Sequence, residues 1–250
     1  MKKELTQGAL SSDSLASVKF GELVPARFLE RKNRFVAHVA YRNGTHPAHL
    51  ANPGRLEELL VPGRKLWLHP VADPNRKTRF DVVLVELPHG LVSVNSQLPN
   101  YLVVRALRRG RLTGFEKAQM VKREVKRGQS RIDAVVSEKR GPHWVEVKSV
   151  TLVVNGTAMF PDAPTRRGAR HLRELYEVVH GGEHATVIFV IQREDAQTFA
   201  PNRETDPDFA AALRAAADAG VHVRAFRCKV TQEEIQMVGE IPVRLDSPIS

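Results

Sequence analysis

The hydrophobic period changes near residue 90, and that change limits the fold more than any other feature. Before it, apolar residues come in short runs: "RFVAHVAY", "THPAHLA", "KLWLHPVA", "RFDVVLVEL" and "GLVSVN". Turn segments such as "RNGT", "VPGRK" and "DPNRK" lie between them. Alternation sends successive side chains to opposite strand faces, and Gly, Pro, Asn and Asp supply the turn conformations. This spacing predicts a small all-β barrel over roughly residues 19–90. "NPGRLEELL" predicts a short helix carrying Leu56, Leu59 and Leu60. Residues 1–18 are polar with no continuous apolar core, which predicts a mobile tail rather than a secretion signal.

Beyond residue 90 the pattern alternates between helix and strand periods. "LPNYLVVRALRRG" predicts a helix with Asn100 as cap, a stripe of Leu102, Val103, Ala106 and Leu107, and Gly110 as its end. Three strand-like runs follow: "AQMVKREVKR", "SRIDAVVS" and "HWVEVKSVTLVV". "APTRRGARHLRELYEVVHGG" predicts a second helix and "ATVIFVIQ" a buried strand. "DPDFAAALRAAADAG" predicts a third helix with Asp206 as N-cap and Pro207 at the first helical position. "VHVRAFRCKV" predicts a last strand. The order predicts an α/β domain (α+β for the whole chain) over residues 91–250, with a mixed sheet flanked by helices.

Charge narrows the function. The formal net charge is +10, and its excess peaks in one segment. Residues 91–131 hold ten Lys/Arg and two Asp/Glu, whereas residues 132–250 hold fourteen and seventeen. A basic cluster suits a phosphate backbone, because each contact releases condensed counterions. The expected contacts are Arg105, Arg108, Arg109, Lys122, Arg123, Lys126, Arg127 and Arg131, and a solvated basic face is the alternative. DNA is the expected partner, with RNA left open. A membrane is not expected: no apolar run approaches the ~20 residues that span a bilayer. The oligomeric state is open, a homodimer included. One cysteine, Cys228, excludes an internal disulfide framework and a cysteine-rich zinc site. It reads as a small strand residue, and the expected setting is cytoplasmic.

Two adjacent strands carry the chemistry. "SRIDAVV" holds Asp133, and "VEVKSV" holds Glu146 and Lys148. Positions i and i+2 of a strand share a face, so Glu146 and Lys148 project together. The turn "SEKRGPH" returns the chain antiparallel and brings Asp133 opposite them. Two neighbouring carboxylates repel each other unless a cation lies between them. Mg²⁺ or Mn²⁺, with oxygen ligands from Asp133, Glu146 and the Val147 carbonyl, would suit that position. Lys148 would then orient the attacking water or neutralise phosphoryl oxygens. Glu124 is a further candidate acid, or else a counter-charge among Lys122, Arg123 and Lys126. The plain alternative for the whole pattern is a solvated sheet face, where such pairs contribute only ~0.2–1 kcal/mol. His171 sits on the following helix and reads either as a phosphate contact or as a surface histidine. Arg166, Arg167 and Arg170 lie near that helix's N-terminus, an anion-attracting end. Asn95, Gln97 and Asn100 in "VNSQLPN" either contact a backbone or shape the loop.

Several of these stretches together resemble one family. They are "NPGRLEELLVPG", "VNSQLPN", "REVKRGQSRIDAVV", "VEVKSVTLVVNGTAMFPDAPTRRGARHLRELYEVV" and "FVIQREDAQTFAPNRETDPDFAAALRAAADAGV". In order from about residue 20 to residue 237 they are similar to the sugar fermentation stimulation protein A family of prokaryotes. The resemblance implies an N-terminal OB-like barrel, a C-terminal restriction-endonuclease-like domain of the PD-(D/E)xK class, and DNA binding. Carried over by position, it implies a catalytic set of Asp133, Glu146 and Lys148, with Glu124 as the preceding acid. It also implies that Thr165, Arg167 and His171 line the same cleft. Where the family's glycine turn usually reads N-T-G, this chain has Asn52-Pro53-Gly54. The expected function is a divalent-metal-dependent nuclease. The alternative is a non-cutting DNA-binding regulator of sugar metabolism built on the same fold.

Overall fold

The computed structural model describes residues 14–118, 120–139 and 141–246. The chain enters through β1 (Ala16–Lys19), then builds a barrel from β2 (Val24–Asn33), β3 (Val36–Tyr41), β4 (Gly44–His49), β5 (Lys65–Pro70) and β6 (Phe80–Leu87). These five pair in the order β4-β3-β2-β5-β6, and a parallel β4–β6 pairing closes the ring. Closure removes the sheet edges that a small open sheet would leave unpaired. β7 (Gly90–Ser93) adds to β6. The barrel is therefore present, and β7, outside the closed ring, runs to Ser93, three residues past the expected boundary.

Inward positions alternate as the sequence predicts: Ala26 and Phe28, Ala37 and Val39, Leu66 and Leu68 are all buried. Leu56, Leu59 and Leu60 join that core, but not from a helix. Leu56 has φ 55°, a left-handed conformation that stops a right-handed helix. The leucine stripe is buried from a turn, which corrects the short-helix expectation. β2 was not expected. Its outward residues, among them Arg27, Glu30 and Arg31, and two register shifts against β3 blur its alternation.

The second domain holds α1 (Leu98–Arg108), β8 (Met120–Arg127), β9 (Ser130–Glu138), β10 (Gly141–Val150), β11 (Val153–Val154), β12 (Thr157–Phe160), α2 (Arg166–His180), β13 (His184–Ile191), β14 (Thr198–Pro201), α3 (Pro207–Asp218), β15 (His222–Val230) and β16 (Glu234–Ile241). Seven strands form a mixed sheet in the order β1-β16-β15-β13-β10-β9-β8. α1 packs one face through Leu102, Val103, Ala106 and Leu107. α2 and α3 cover the other through Leu172, Leu175, Phe209 and Leu213. The Asp206 carboxylate accepts the Phe209 N–H (2.9 Å), as an N-cap should.

Two expectations are corrected at the ends. β1 is an edge strand of this sheet, paired with β16, so the predicted tail does not extend past residue 13. The tail's remainder, residues 1–13, lies outside the described residues. β16 itself was not expected: Ile235, Met237 and Ile241 are buried, but the alternation of "EIQMVGEI" breaks at Val238 and Gly239, where the register against β15 shifts. Cys228 is fully buried in β15, and burial pushes its thiol well above the usual range.

The two domains are stitched together. Ser93 of β7 donates its N–H to the Gln192 carbonyl (3.0 Å) and its hydroxyl to Gln192 Oε1 (3.0 Å). Gln192 Nε2 donates onward to Ser149 Oγ (3.0 Å). His89 in the β6–β7 turn pairs with Asp195 (2.8 Å).

Candidate active site

β9 and β10 pair antiparallel from Glu138/Gly141 as far as Ala134/Val145. The recorded ladder ends there, and Asp133 and Glu146 are the next residues. At this fork the Asp133 side chain takes a backbone donor: Oδ2 accepts the Val147 N–H at 2.8 Å. Oδ1 accepts from Asn100 Nδ2 of α1 at 2.7 Å. Burial and the Glu146 carboxylate push the Asp133 pKa up to about 6, against the opposing pull of Lys148, the Val147 N–H and Asn100. Glu146 is thus near enough to act on Asp133, although the strand pairing itself stops one residue short of both.

Glu146 and Lys148 do share a face. Lys148 Nζ donates to Glu146 Oε1 at 2.7 Å, and His171 Nδ1 lies 2.5 Å from the same oxygen. Burial would raise the Glu146 pKa, but the Lys148 ammonium and His171 outweigh it and hold the value at about 2. Arg167 Nε donates to His171 Nε2 (3.3 Å), so the imidazole proton sits on Nδ1 and points at Glu146. The other carboxylate oxygen, Oε2, is buried and has no hydrogen-bond partner. Leaving a charged acceptor buried and unpaired is costly. An orphan oxygen beside a second carboxylate fits a hard divalent cation, which takes oxygen ligands and keeps waters. Among the described residues, no three His, Cys, Asp or Glu side chains form a protein-only metal cage. Any such ion would therefore take much of its coordination from water and substrate. Asp133 and Glu146 are the side chains that would hold it.

Asp133, Glu146 and His171 lie behind the wall of a cleft of about 460 Å³ between the domains, which Lys148 and Arg167 reach. Val147, Lys148, Thr165 and Arg167 line it from one side, and Arg34, Asn52 and Gly54 from the barrel. Arg31 fixes the barrel wall: its guanidinium donates to the carbonyls of Asn52, Gly54, Arg55 and Arg34. Gly54 is required by a close approach. A Cβ there would lie 2.3 Å from Asp162 Oδ2, and that oxygen accepts the Leu56 N–H at 3.3 Å. Thr165 caps α2 by accepting the Gly168 N–H (3.0 Å), which sets His171 and Arg167 on the site.

The other expected residues divide. Arg108, Arg109, Lys122, Arg123, Lys126 and Arg131 are exposed, and β8 is an edge strand beside the Asp133 strand. Arg105 instead holds β1, donating to the Ser17 carbonyl (2.5 Å). Arg127 is engaged by Glu183 (2.9 Å) and covers the Trp144 ring (4.7 Å). Glu124 is not gathered into the carboxylate pair by any described contact. It is exposed at φ 51° and pairs with Arg131 at 3.6 Å, the counter-charge role that a basic strand favours. His171 is buried rather than on the surface, and it contacts Glu146, not open solvent. Asn100 is no cap; the helix starts after Gln97, and Asn100 serves Asp133. Asp162, Arg31 and Arg34 were missed as shapers of the cleft. The acid in "FPDAPT" was a signal available for the first of them.

Comparison with known proteins matches both domains. Residues 29–94 match the model of the SfsA N-terminal OB domain, and residues 97–234 that of the sugar fermentation stimulation protein RE domain. A sugar fermentation stimulation protein homolog from Moorella thermoacetica is 44% identical over 225 residues, covering 89% of this chain and 97% of that protein. One from Acetivibrio thermocellus is 45% identical over 226 residues, covering 89% and 97%. The solved structure of Pyrococcus furiosus SfsA in complex with Ca²⁺ superposes with a TM-score of 0.84 at 31% identity, covering 92% of this chain and 99% of that one. With both domains matched in order, the chain belongs to the sugar fermentation stimulation protein family.

Proposed function

We propose that this protein is a divalent-metal-dependent nuclease that hydrolyses phosphodiester bonds in DNA, with Mg²⁺ or Mn²⁺ as its cofactor. The observation that carries this reading is the unpartnered Glu146 Oε2, buried beside Asp133 where β9 and β10 part. A divalent ion bound there would act as a Lewis acid on a phosphoryl oxygen. The chain's own residues do the rest. Asn100 and the Val147 N–H hold Asp133 in one orientation. His171 and Lys148 occupy one oxygen of Glu146 and leave the other free. Lys148 and Arg167 line the cleft and offset charge developing on a bound phosphate. The exposed cations of β8 draw the backbone toward the fork. The Pyrococcus furiosus relative was solved with Ca²⁺, a hard oxygen-seeking ion of the expected kind.

The test is to incubate the protein with labelled single-stranded, duplex and branched DNA and with RNA, in Mg²⁺, Mn²⁺ or EDTA. Metal-dependent cleavage that Asp133→Asn abolishes is expected. DNA binding with no cleavage on any substrate in either metal would overturn the nuclease and leave the non-cutting regulator.

A further inference from the structure

A second and larger cavity, about 690 Å³, lies outside the carboxylate site. Lys19, Lys77, His49 and His69 line it, and Phe20 and Leu98 add apolar surface. Lys19 and Lys77 are exposed and enter no ion pair among the described residues. The two cavities are back to back. Ala51 faces the larger and Asn52 the smaller. Asn95 and Gln97 line the larger, whereas Ser96 lines the smaller. The shared wall is therefore two short segments of chain, and it is held together. Ser96 donates both its N–H (3.0 Å) and its hydroxyl (2.8 Å) to the Ala51 carbonyl. Asn52 Nδ2 donates to the Val94 carbonyl (3.1 Å).

We propose that the larger cavity continues the nucleic-acid site and takes unpaired nucleotides of a single strand that crosses this wall; the inference rests on the nucleic-acid reading above. Each cavity has the size of a small-ligand pocket, room for a nucleotide or a few. A duplex must unstack and unpair a base to lower it into such a space, at a cost of a few kcal/mol, while a single strand meets no pairing cost. The chemistry matches single-strand grooves, where cations follow the backbone and apolar or aromatic surface receives bases. Lys19 and Lys77 supply the cations. Phe35 gives the smaller cleft an aromatic neighbour: it is 48% exposed and follows Arg34 of the cleft wall. The Asn95 and Gln97 side chains offer donors and acceptors to the strand as it passes over.

The experiment measures fluorescence anisotropy of oligo(dT), from a dinucleotide to a dodecamer, in EDTA, beside oligo(U) and a blunt duplex of dodecamer length. Lys19→Ala/Lys77→Ala is expected to weaken the dodecamer about tenfold, to leave the dinucleotide unchanged, and to lower the log–log salt slope by about 1.4, two phosphates' worth. Matching losses for oligo(U) extend the site to RNA; losses for oligo(dT) alone confine it to DNA, and both support the cavity's role. An unchanged dodecamer, equal losses at both lengths, or tighter binding of the duplex than of the single strand would overturn it while leaving the nuclease reading intact. No binding of any nucleic acid would overturn both. Photo-crosslinking of the unaltered protein to a dodecamer needs no variant. Adducts are expected within residues 19–21 or 76–83, and adducts confined to residues 147–167 refute the proposal.

Discussion

Glu146 carries two donors on one oxygen and none on the other, and that asymmetry assigns work to its neighbours. Lys148→Gln is expected to retain the fold and to lower single-turnover cleavage about 10²- to 10⁴-fold, the range of a lost proton-transfer or charge-stabilising group. Lys148→Ala should in addition lose about 2 kcal/mol or more of stability, because it removes one partner of a buried pair; urea unfolding separates the two effects. Wild-type cleavage by Lys148→Gln would remove Lys148 from the mechanism. A second residue reports through pH. His143 sits under Phe115, with Nε2 2.8 Å from Thr186 Oγ1. Burial and the neighbouring His184 and His222 lower its pKa to about 4. Its folded value lies below the unfolded one near 6.5, so the unfolded chain binds more protons between them. Stability contributed by neutral His143 is complete above pH 6.5 and is lost as pH falls toward 4, about 3 kcal/mol in all. Replacement by Asn should flatten that acid limb in denaturant titrations at successive pH values; an unchanged limb refutes the assignment.

Elements place these residues, and their joints can be tested. Asp206 caps α3 through the Phe209 N–H and also accepts the Thr165 N–H at 2.6 Å. One buried carboxylate thus joins the starts of two helices, α2 and α3. Asp206→Ala is expected to cost about 2 kcal/mol, above a single cap, because two donors lose their acceptor. Cleavage should fall with it, since α2 carries His171 and Arg167; a shift of the urea midpoint without loss of activity would mean that α2 holds its place unaided. The capping of α3 was legible in "TDPDF", since an N-cap is written within four residues. The barrel strands β3 to β7 were legible for a similar reason, as turn chemistry is local. β1 was not, because its partner β16 is distant in sequence, and β16 was not, because its alternation breaks at Val238 and Gly239, where its register against β15 shifts. The helix expected within "NPGRLEELL" failed at Leu56, where the contact with Asp162 across the domain seam overrides local propensity.

At the scale of the molecule, the cleft exists because the barrel loop and the β12–α2 segment meet at Gly54 and Asp162. Gly54→Ala forces a methyl onto the Asp162 carboxylate and is expected to cost about 1–3 kcal/mol. Asp162→Ala should relieve most of that in the double variant, and additive losses would show that the two sites do not touch. DNA binding should also weaken steeply with salt, by about 0.9 log unit per phosphate contact and decade of salt for duplex. A flat response would remove the exposed cations of β8 and α1 from the interface.

The sequence by itself determined the barrel-then-α/β order, the shared face of Glu146 and Lys148, and the antiparallel return that sets Asp133 beside them. Each follows from a period or a turn that spans few residues. Tertiary structure alone decided that Asn100 and His171 serve the carboxylates, that Glu124 pairs outward with Arg131, and that Asp162 and Arg31 shape the cleft. Those contacts join residues on different elements, where no local period records which side chains will meet.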